Sequence, residues 1–317
     1  MTHSRTMTHA NPVRHLLAGA LCAGLLAAAG AARAAPGSAG VLLPPITQPP
    51  SGEHHIGKVV WADLVTPNLD VARTFYGALF GWTFRAVSGD PNYSLVLLDG
   101  EAIGGIYQKP LPPGQSQQSS WLTFLAVRDV RATQQSAVQM GAKLLSPPHS
   151  YPRRGRQAVL ADPDGAVFAI LAADGGDPPD YLAASGAWIW TSMFVSNPQQ
   201  ETAFYKRLFG YDVYDMAADG GEQGDAQHYI LSSEDYARVG LNALPADASR
   251  RHPHWLNFIR VTDAADTATK AVALGGRILV EPRTDRHGGR LAVLADPSGA
   301  PFGVMEWTES DSKQEPQ

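Results

Sequence analysis

Four times along the chain an alternating strand pattern is followed by a helical one and then by short apolar runs. In the first instance "VVWADLVT" (Val59–Thr66) alternates apolar and polar positions, as a strand with one buried face does. "NLDVARTFYGALFG" then places Leu69, Ala72, Phe75 and Leu79 at helical spacing, with Asn68 as N-cap and Gly81 as the stop. "WTFRAV", "YSLVLLDG" and "AIGGIYQ" follow as short strands. A second unit repeats the order with strand "WLTFLAV", helix "VRATQQSAVQMGA" ended at Gly141, strand "KLLSPP", and the pair "GRQAVLADP" and "AVFAILAA". Between the last two, Asp162-Pro163-Asp164-Gly165 has the chemistry of a hairpin turn rather than of a catalytic motif.

The whole arrangement then recurs. Trp61, Asn68, Phe75-Tyr76 and Leu79-Phe80-Gly81 align with Trp190, Asn197, Phe204-Tyr205 and Leu208-Phe209-Gly210, each pair 129 positions apart. Further along, "WLTFLAVRDV", Gly141 and Asp162-Pro163 align with "WLNFIRVTDA", Gly275 and Asp296-Pro297 at a spacing of 134. The second copy therefore carries about five extra residues, assigned to "AADGGEQGDAQ" (Ala217–Gln227). The expected organisation is two homologous domains, 57–173 and 186–308, joined by a linker at 174–185 and followed by a disordered tail at 309–317.

The N-terminus adds a third feature. Arg5 and Arg14 precede the apolar run "LLAGALCAGLLAAAG" (Leu16–Gly30), and a small-x-small site stands at Ala32-Arg33-Ala34. Residues 1–34 thus read as a secretory signal peptide, with a periplasmic or secreted destination and no membrane span after cleavage. Cys22, the single cysteine, lies inside that run, and Leu21 and Gly19 beside it disfavour a lipoprotein signal. The mature chain then has no thiol, hence no disulfide and no Cys nucleophile. Residues 35–56, rich in Pro, Gly and Ser, read as a flexible linker in which His54 and His55 are solvated. A net charge of −5 does not suggest nucleic acid as the partner. A small molecule is expected instead.

The "TPNLDVARTFYGALFGW" and "SNPQQETAFYKRLFGY" helices and the two "ADPxG" hairpins resemble those of the vicinal oxygen chelate superfamily, which includes glyoxalase I, extradiol dioxygenases and bleomycin resistance proteins. The resemblance implies an α+β fold of two tandem domains, each of paired βαβββ modules forming a curved mixed sheet around a cleft. A tandem pair of this kind can stand in for the dimer of single-domain relatives, so monomer and homodimer both stay open. Metal-dependent members draw ligands from the first and last strands of each module. Alignment puts those positions at Trp61, near Gly105, near Leu122 and at Ala172 in the first domain, and at Trp190, near Leu241, near Leu256 and at Glu306 in the second, with His254 two residues before Leu256 on the same strand face. Of the aligned positions, Glu306 alone can ligate a metal, and a single carboxylate does not meet the demand for three or four converging donors.

The preferred reading is a metal-free cleft, without cofactor, that binds a small, partly apolar or aromatic molecule. Trp61 and Trp190 line it; Asp63 and Ser192, two residues on, share their strand faces, and Glu306 contributes a polar contact. Arginines for Asp63 stand in "YPRRGRQ" and "RTDRHGGR", both expected as solvated loops, and Tyr76 and Tyr205 are expected to pack on the sheet. Two alternatives stay open. One is a lyase or dioxygenase holding a divalent metal on Glu306, His254 and His228; the other is a non-catalytic envelope interaction protein with both clefts filled.

Overall fold

The computed structural model describes residues 42–109, 119–216, 227–244, 252–284 and 289–307. The segment expected to be a signal peptide, with Cys22, the 309–317 tail and most of the expected insertion lie outside these residues.

Each domain is one eight-stranded mixed sheet. The first comprises β1 (Val59–Thr66), α1 (Leu69–Phe80), β2 (Thr83–Val87), β3 (Asp90–Leu98), β4 (Glu101–Gln108), β5 (Ser120–Ala126), α2 (Val130–Gln139), β6 (Lys143–Tyr151), β7 (Gly155–Ala161) and β8 (Val167–Ala173). The second comprises β9 (Trp188–Val195), α3 (Pro198–Phe209), β10 (Asp212–Asp215), β11 (His228–Ser233), β12 (Tyr236–Ala243), β13 (His254–Val261), α4 (Ala264–Ala273), β14 (Arg277–Thr284), β15 (Arg290–Ala295) and β16 (Pro301–Glu306). The strand orders are β2-β3-β4-β1-β5-β8-β7-β6 and β10-β11-β12-β9-β13-β16-β15-β14. In each, the opening strands of two modules pair antiparallel at the centre, and each pairs parallel with its own module's last strand. The sheet is thus a pair of βαβββ units joined at their first strands.

The helix signals act as the sequence predicts. Asn68 Oδ1 accepts from Val71 N at 3.0 Å, and Asn197 Oδ1 from Gln200 N at 3.2 Å. Gly81 and Gly210 close these helices in the left-handed region at φ 73° and 76°, where a Cβ would be strained.

The helix-covered faces of the two sheets pack on each other's modules rather than on their own domain alone. Phe75 and Tyr76 on α1 meet Phe302 on β16 at ring separations of 6.1 and 5.5 Å. Tyr205 on α3 meets Phe168 on β8 at 5.6 Å. Two mixed cores result, one uniting the first and fourth modules and one the second and third. Tyr76 and Tyr205 pack as expected, and each hydroxyl also donates to the aspartate of the other domain's hairpin turn, Asp296 at 3.4 Å and Asp162 at 2.9 Å. Asp162 Oδ1 in turn accepts from Gly165 N and Ala166 N, both at 2.7 Å. The turn motif is therefore structural on both sides. Thr123 and Asn257, equivalent positions in the two copies, hydrogen-bond at 3.1 Å on the pseudo-twofold axis. With whole aromatic side chains buried there, at about 1.5–3 kcal/mol each, the domains form one interlocked unit.

The stretch expected as a flexible linker behaves otherwise from residue 42 onward. Leu43 and Ile46 are buried in the cleft-side core of the first domain. Thr47 Oγ1 donates to Gly175 O, Ser51 Oγ to Asp177 O, and Asp177 Oδ2 accepts from His55 N. This segment and the 174–185 linker satisfy each other's polar groups, which a composition rich in Pro, Gly and Ser does not disclose.

Candidate functional site

The face of each sheet turned away from the shared cores forms a cleft. In the first domain period-2 alternation brings Trp61 and Asp63 to that face together, while Ala62 and Leu64 enter the shared core. Asp63 Oδ1 accepts from Trp61 Nε1 at 2.8 Å and from the Tyr93 hydroxyl at 2.7 Å. Tyr93 reaches it because the neighbouring strand carries Gly105, where a Cβ would stand 2.0 Å from the Tyr93 oxygen.

Arg154 completes the group. In "YPRRGR" a tight turn has Arg153 at φ 67° and Gly155 at φ 119°, and a Cβ at Gly155 would lie 2.0 Å from Ala172 O. The turn exposes Arg153 but drives Arg154 inward, so the loop is not solvated throughout as expected. The Arg154 guanidinium lies 3.9 Å from the Trp61 ring centroid. Burial pushes the Asp63 carboxyl upward, against the pull of Arg154, Tyr93 and Trp61, and it pushes the guanidinium downward. Leu43 and Ile46 close this cleft, and Pro44 O accepts from Arg154 Nη1 at 3.3 Å.

The second cleft carries different chemistry. Trp190, Ser192 and Phe194 alternate onto it from β9, with Leu256 and Phe258 from β13 and Met305 from β16. Trp190 Nε1 donates to Ser192 Oγ at 3.2 Å. Glycines let the rings lie across the sheet: a Cβ at Gly303 would stand 2.1 Å from the Phe258 ring, and one at Gly240 3.3 Å from the Trp190 indole. At one end, paired positions on four adjacent strands form a row of His228, Asn242, Phe194 and His254. His254 stacks on Phe194 at 5.3 Å, and His228 Nδ1 lies 2.7 Å from Asn242 Oδ1. Trp190, Phe194 and His254 all remain partly exposed.

Glu306 belongs to the opposite face. On β16 it alternates with Met305 and shares its side with Phe302 and Val304, which pack in the shared core. Its Oε1 accepts from Ala264 N at 2.8 Å, while Asp263 Oδ1 accepts from Ala265 N and Asp266 N. The two carboxylates thus serve three N–H groups of the first turn of α4, where the helix dipole favours negative charge. Its polar contact is with the helix, not with the cleft. His228 and His254 share a face but stand three strand spacings apart, about 14 Å. The set Glu306, His254 and His228 does not converge and does not fit a metal ion.

Among the described residues one group brings such atoms close, His55, Asp180 and Glu234. His55, expected to be solvated, has Nδ1 2.7 Å from Glu234 Oε2 and Nε2 2.9 Å from Glu53 Oε2. Asp180 is already taken by Lys58 Nζ at 2.7 Å and by both terminal nitrogens of Arg238, at 2.6 and 2.9 Å. The cations already balance these carboxylates, so the cluster is an ionic clasp between the N-terminal segment, the linker and β12.

Comparison with known proteins gives the same picture at the level of the family. A profile described as the glyoxalase/bleomycin resistance protein/dioxygenase superfamily matches residues 54–170, and a glyoxalase-like domain profile matches 190–305. The chain belongs to this superfamily, as a tandem member. It is 32% identical over 263 residues to "Putative glyoxylase CFP32" of Mycobacterium tuberculosis, covering 81% of this chain and 98% of that protein. It is 30% identical over 267 residues to the anthracycline biosynthesis protein DauV of Streptomyces sp. strain C5, covering 80% and 94%. The Mn(II)-bound glyoxalase of Novosphingobium aromaticivorans superposes with a TM-score of 0.57 at 16% identity, over 80% of this chain and 83% of that one. At that identity the likeness is one of fold.

Among residues the sequence reasoning missed, Tyr93, Phe194 and Phe258 carried a usable signal. Each sits in an alternating strand beside a glycine-bearing neighbour. Leu43 and Ile46 carried none.

Proposed function

We propose that this superfamily member binds a flat, partly aromatic small molecule in the second domain's cleft without a metal ion. The observation that carries the reading is the cleft face itself: Trp190, Phe194 and Phe258 are laid across the sheet, with Ser192 and His254 as polar points. Aromatic walls with a few oriented polar groups suit a planar ligand, whose faces stack while its edge hydrogen-bonds. The donor set supports metal independence, since its imidazoles are spread across four strands and its carboxylate serves a helix terminus. Similarity to an anthracycline biosynthesis protein supports a polycyclic aromatic class. The leader-like N-terminus supports action outside the inner membrane.

The test is titration of the purified protein with an anthraquinone, followed by quenching of tryptophan fluorescence. Trp190→Ala is expected to weaken binding about tenfold or more, in line with losing one stacking wall worth about 1–3 kcal/mol. Dialysis against EDTA is expected to change nothing. Binding that disappears with EDTA and returns with a divalent ion would refute the proposal.

A further inference from the structure

The first domain's cleft is closed by the chain's own N-terminal segment, and the closure is chemically incomplete. Arg154 is 1% exposed, yet among the described residues its Nε has no partner and its Nη1 has only the Pro44 carbonyl, at 3.3 Å. A guanidinium offers five donors in a planar fork, and a neutral carbonyl at that distance is a weak partner for a buried cation. Gln157, buried on β7 just beyond this turn, leaves its Oε1 without a partner among the described residues as well. No contact ion pair joins Arg154 to Asp63 among the described residues, and Asp63 Oδ1 is already held by Trp61 and Tyr93. Buried donors and acceptors left this way cost stability unless something else uses them.

Residues 43–46 are also the weakest-held part of that closure. They form no strand with the sheet and make no backbone N–H bond to the described residues. The side-chain and backbone bonds that fix the segment begin at Thr47 and continue through Ser51 and Gly52. What holds 43–46 is Leu43, Ile46 and the Pro44 carbonyl.

We propose that residues 43–46 are a displaceable internal pseudo-ligand, with the Pro44 carbonyl occupying the place on Arg154 that one oxygen of a small planar carboxylate takes when the segment swings out. The carboxylate's second oxygen then reaches Nη2, the other terminal nitrogen on that edge of the guanidinium, giving the bidentate geometry that a carbonyl cannot. Gln157 Oε1 is left to accept a donor on the same molecule. This site lies in a different domain from the aromatic cleft, with different walls, and it stands or falls independently of that cleft's ligand.

Benzoate is the probe, titrated calorimetrically into the full chain. Leu43→Ser with Ile46→Ser removes both apolar anchors and is expected to tighten benzoate binding at least tenfold over the parent. Adding Arg154→Met to that variant is expected to return it to the parent level or below. Because Arg154→Met empties a buried position, a second measurement leaves Arg154 intact: the peptide LLPPIT, residues 42–47, should compete with benzoate for the doubly substituted chain. Equal affinity of parent and double variant overturns the proposal. So does tightened binding that survives Arg154→Met or is indifferent to the peptide.

Discussion

Glu201 on α3 is fully buried, with its carboxyl set against the Asp162 carboxyl and the Asp164 backbone. It faces Asp162 and Asp164 in the hairpin turn of the other domain. Burial, reinforced by the charges of Asp162 and Asp164, pushes its carboxyl from the ordinary range near 4.5 up to about 8. Burial likewise pushes Asp162 up to about 6, against the pull of Tyr205 and the turn amides. The folded chain therefore keeps a proton on Glu201 across a pH range in which the unfolded chain has lost it. Its stability must fall as pH rises through that range, because the native state binds the extra proton. Between pH 6 and pH 8, as Asp162 completes its own titration, the Glu201 proton's difference amounts to about 1.4 kcal/mol per pH unit, or up to about 3 kcal/mol. For a chain of this size that corresponds to a melting temperature lower by about 6 °C at pH 8 than at pH 6.

Glu201→Gln keeps the shape and a donor toward Asp162 but cannot ionise. Its melting curve, followed by circular dichroism in buffers of matched ionic strength, should lose this slope. Parent and variant should converge only below about pH 4.5, and their separation should grow by about 6 °C between pH 6 and pH 8, the variant being the more stable. The equivalent position in the first copy is Ala72, also buried, so the packing there does not require a carboxylate. His55 is also raised and adds a slope of the same sign, but it is common to both proteins and cancels in the difference. Parallel parent and variant curves from pH 6 to 8 would refute the argument.

Other consequences can be checked more briefly. Glu306→Ala should lower stability by about 1 kcal/mol, a melting shift of about 2 °C, because one first-turn donor of α4 loses its acceptor; ligand affinity in the second cleft should not move, as titration of the variant will show. Gly105→Val should destabilise by several kcal/mol or abolish folding, since the tyrosine hydroxyl and Asp63 already fill the space of a Cβ; chemical denaturation measures it. Expression in a Gram-negative host should yield periplasmic protein beginning near Ala35, read by intact mass of the osmotic-shock fraction.

The fold was legible because its signals are local and repeated. Strand alternation, helical spacing, Asn caps and terminal glycines occur in order, and a constant offset doubles each one. The site was legible only in part. Trp61 with Asp63, and Trp190 with Ser192, share faces because residues two apart on a strand must. Glu306 was misplaced by one step of parity: "PFGVMEW" itself puts Glu306 in phase with Phe302 and Val304, the face that both copies pack with aromatic and aliphatic side chains. Alignment to a ligand position gives a residue number, but a slip of one residue changes the face. Leu43, Pro44 and Arg154 meet across more than a hundred residues of chain, and no local pattern encodes that meeting.

Comparison of the two copies within the chain shows where the constraints lie. On the shared-core side, Phe75, Tyr76, Trp121, Leu160, Asp162 and Phe168 correspond to Phe204, Tyr205, Trp255, Leu294, Asp296 and Phe302. Each member of one set packs against or bonds to members of the other across the pseudo-twofold axis, so a change in one copy would have to be matched in its partner. The cleft side has no such coupling. There Asp63 becomes Ser192, Gln157 becomes Leu291 and Leu171 becomes Met305. One cleft has gathered buried charge under a segment of its own chain, while the other has remained aromatic and partly open. Duplication locked the interface and left the two clefts free to take different chemistry, which is why each requires its own probe: a planar carboxylate for the first, a polycyclic aromatic for the second.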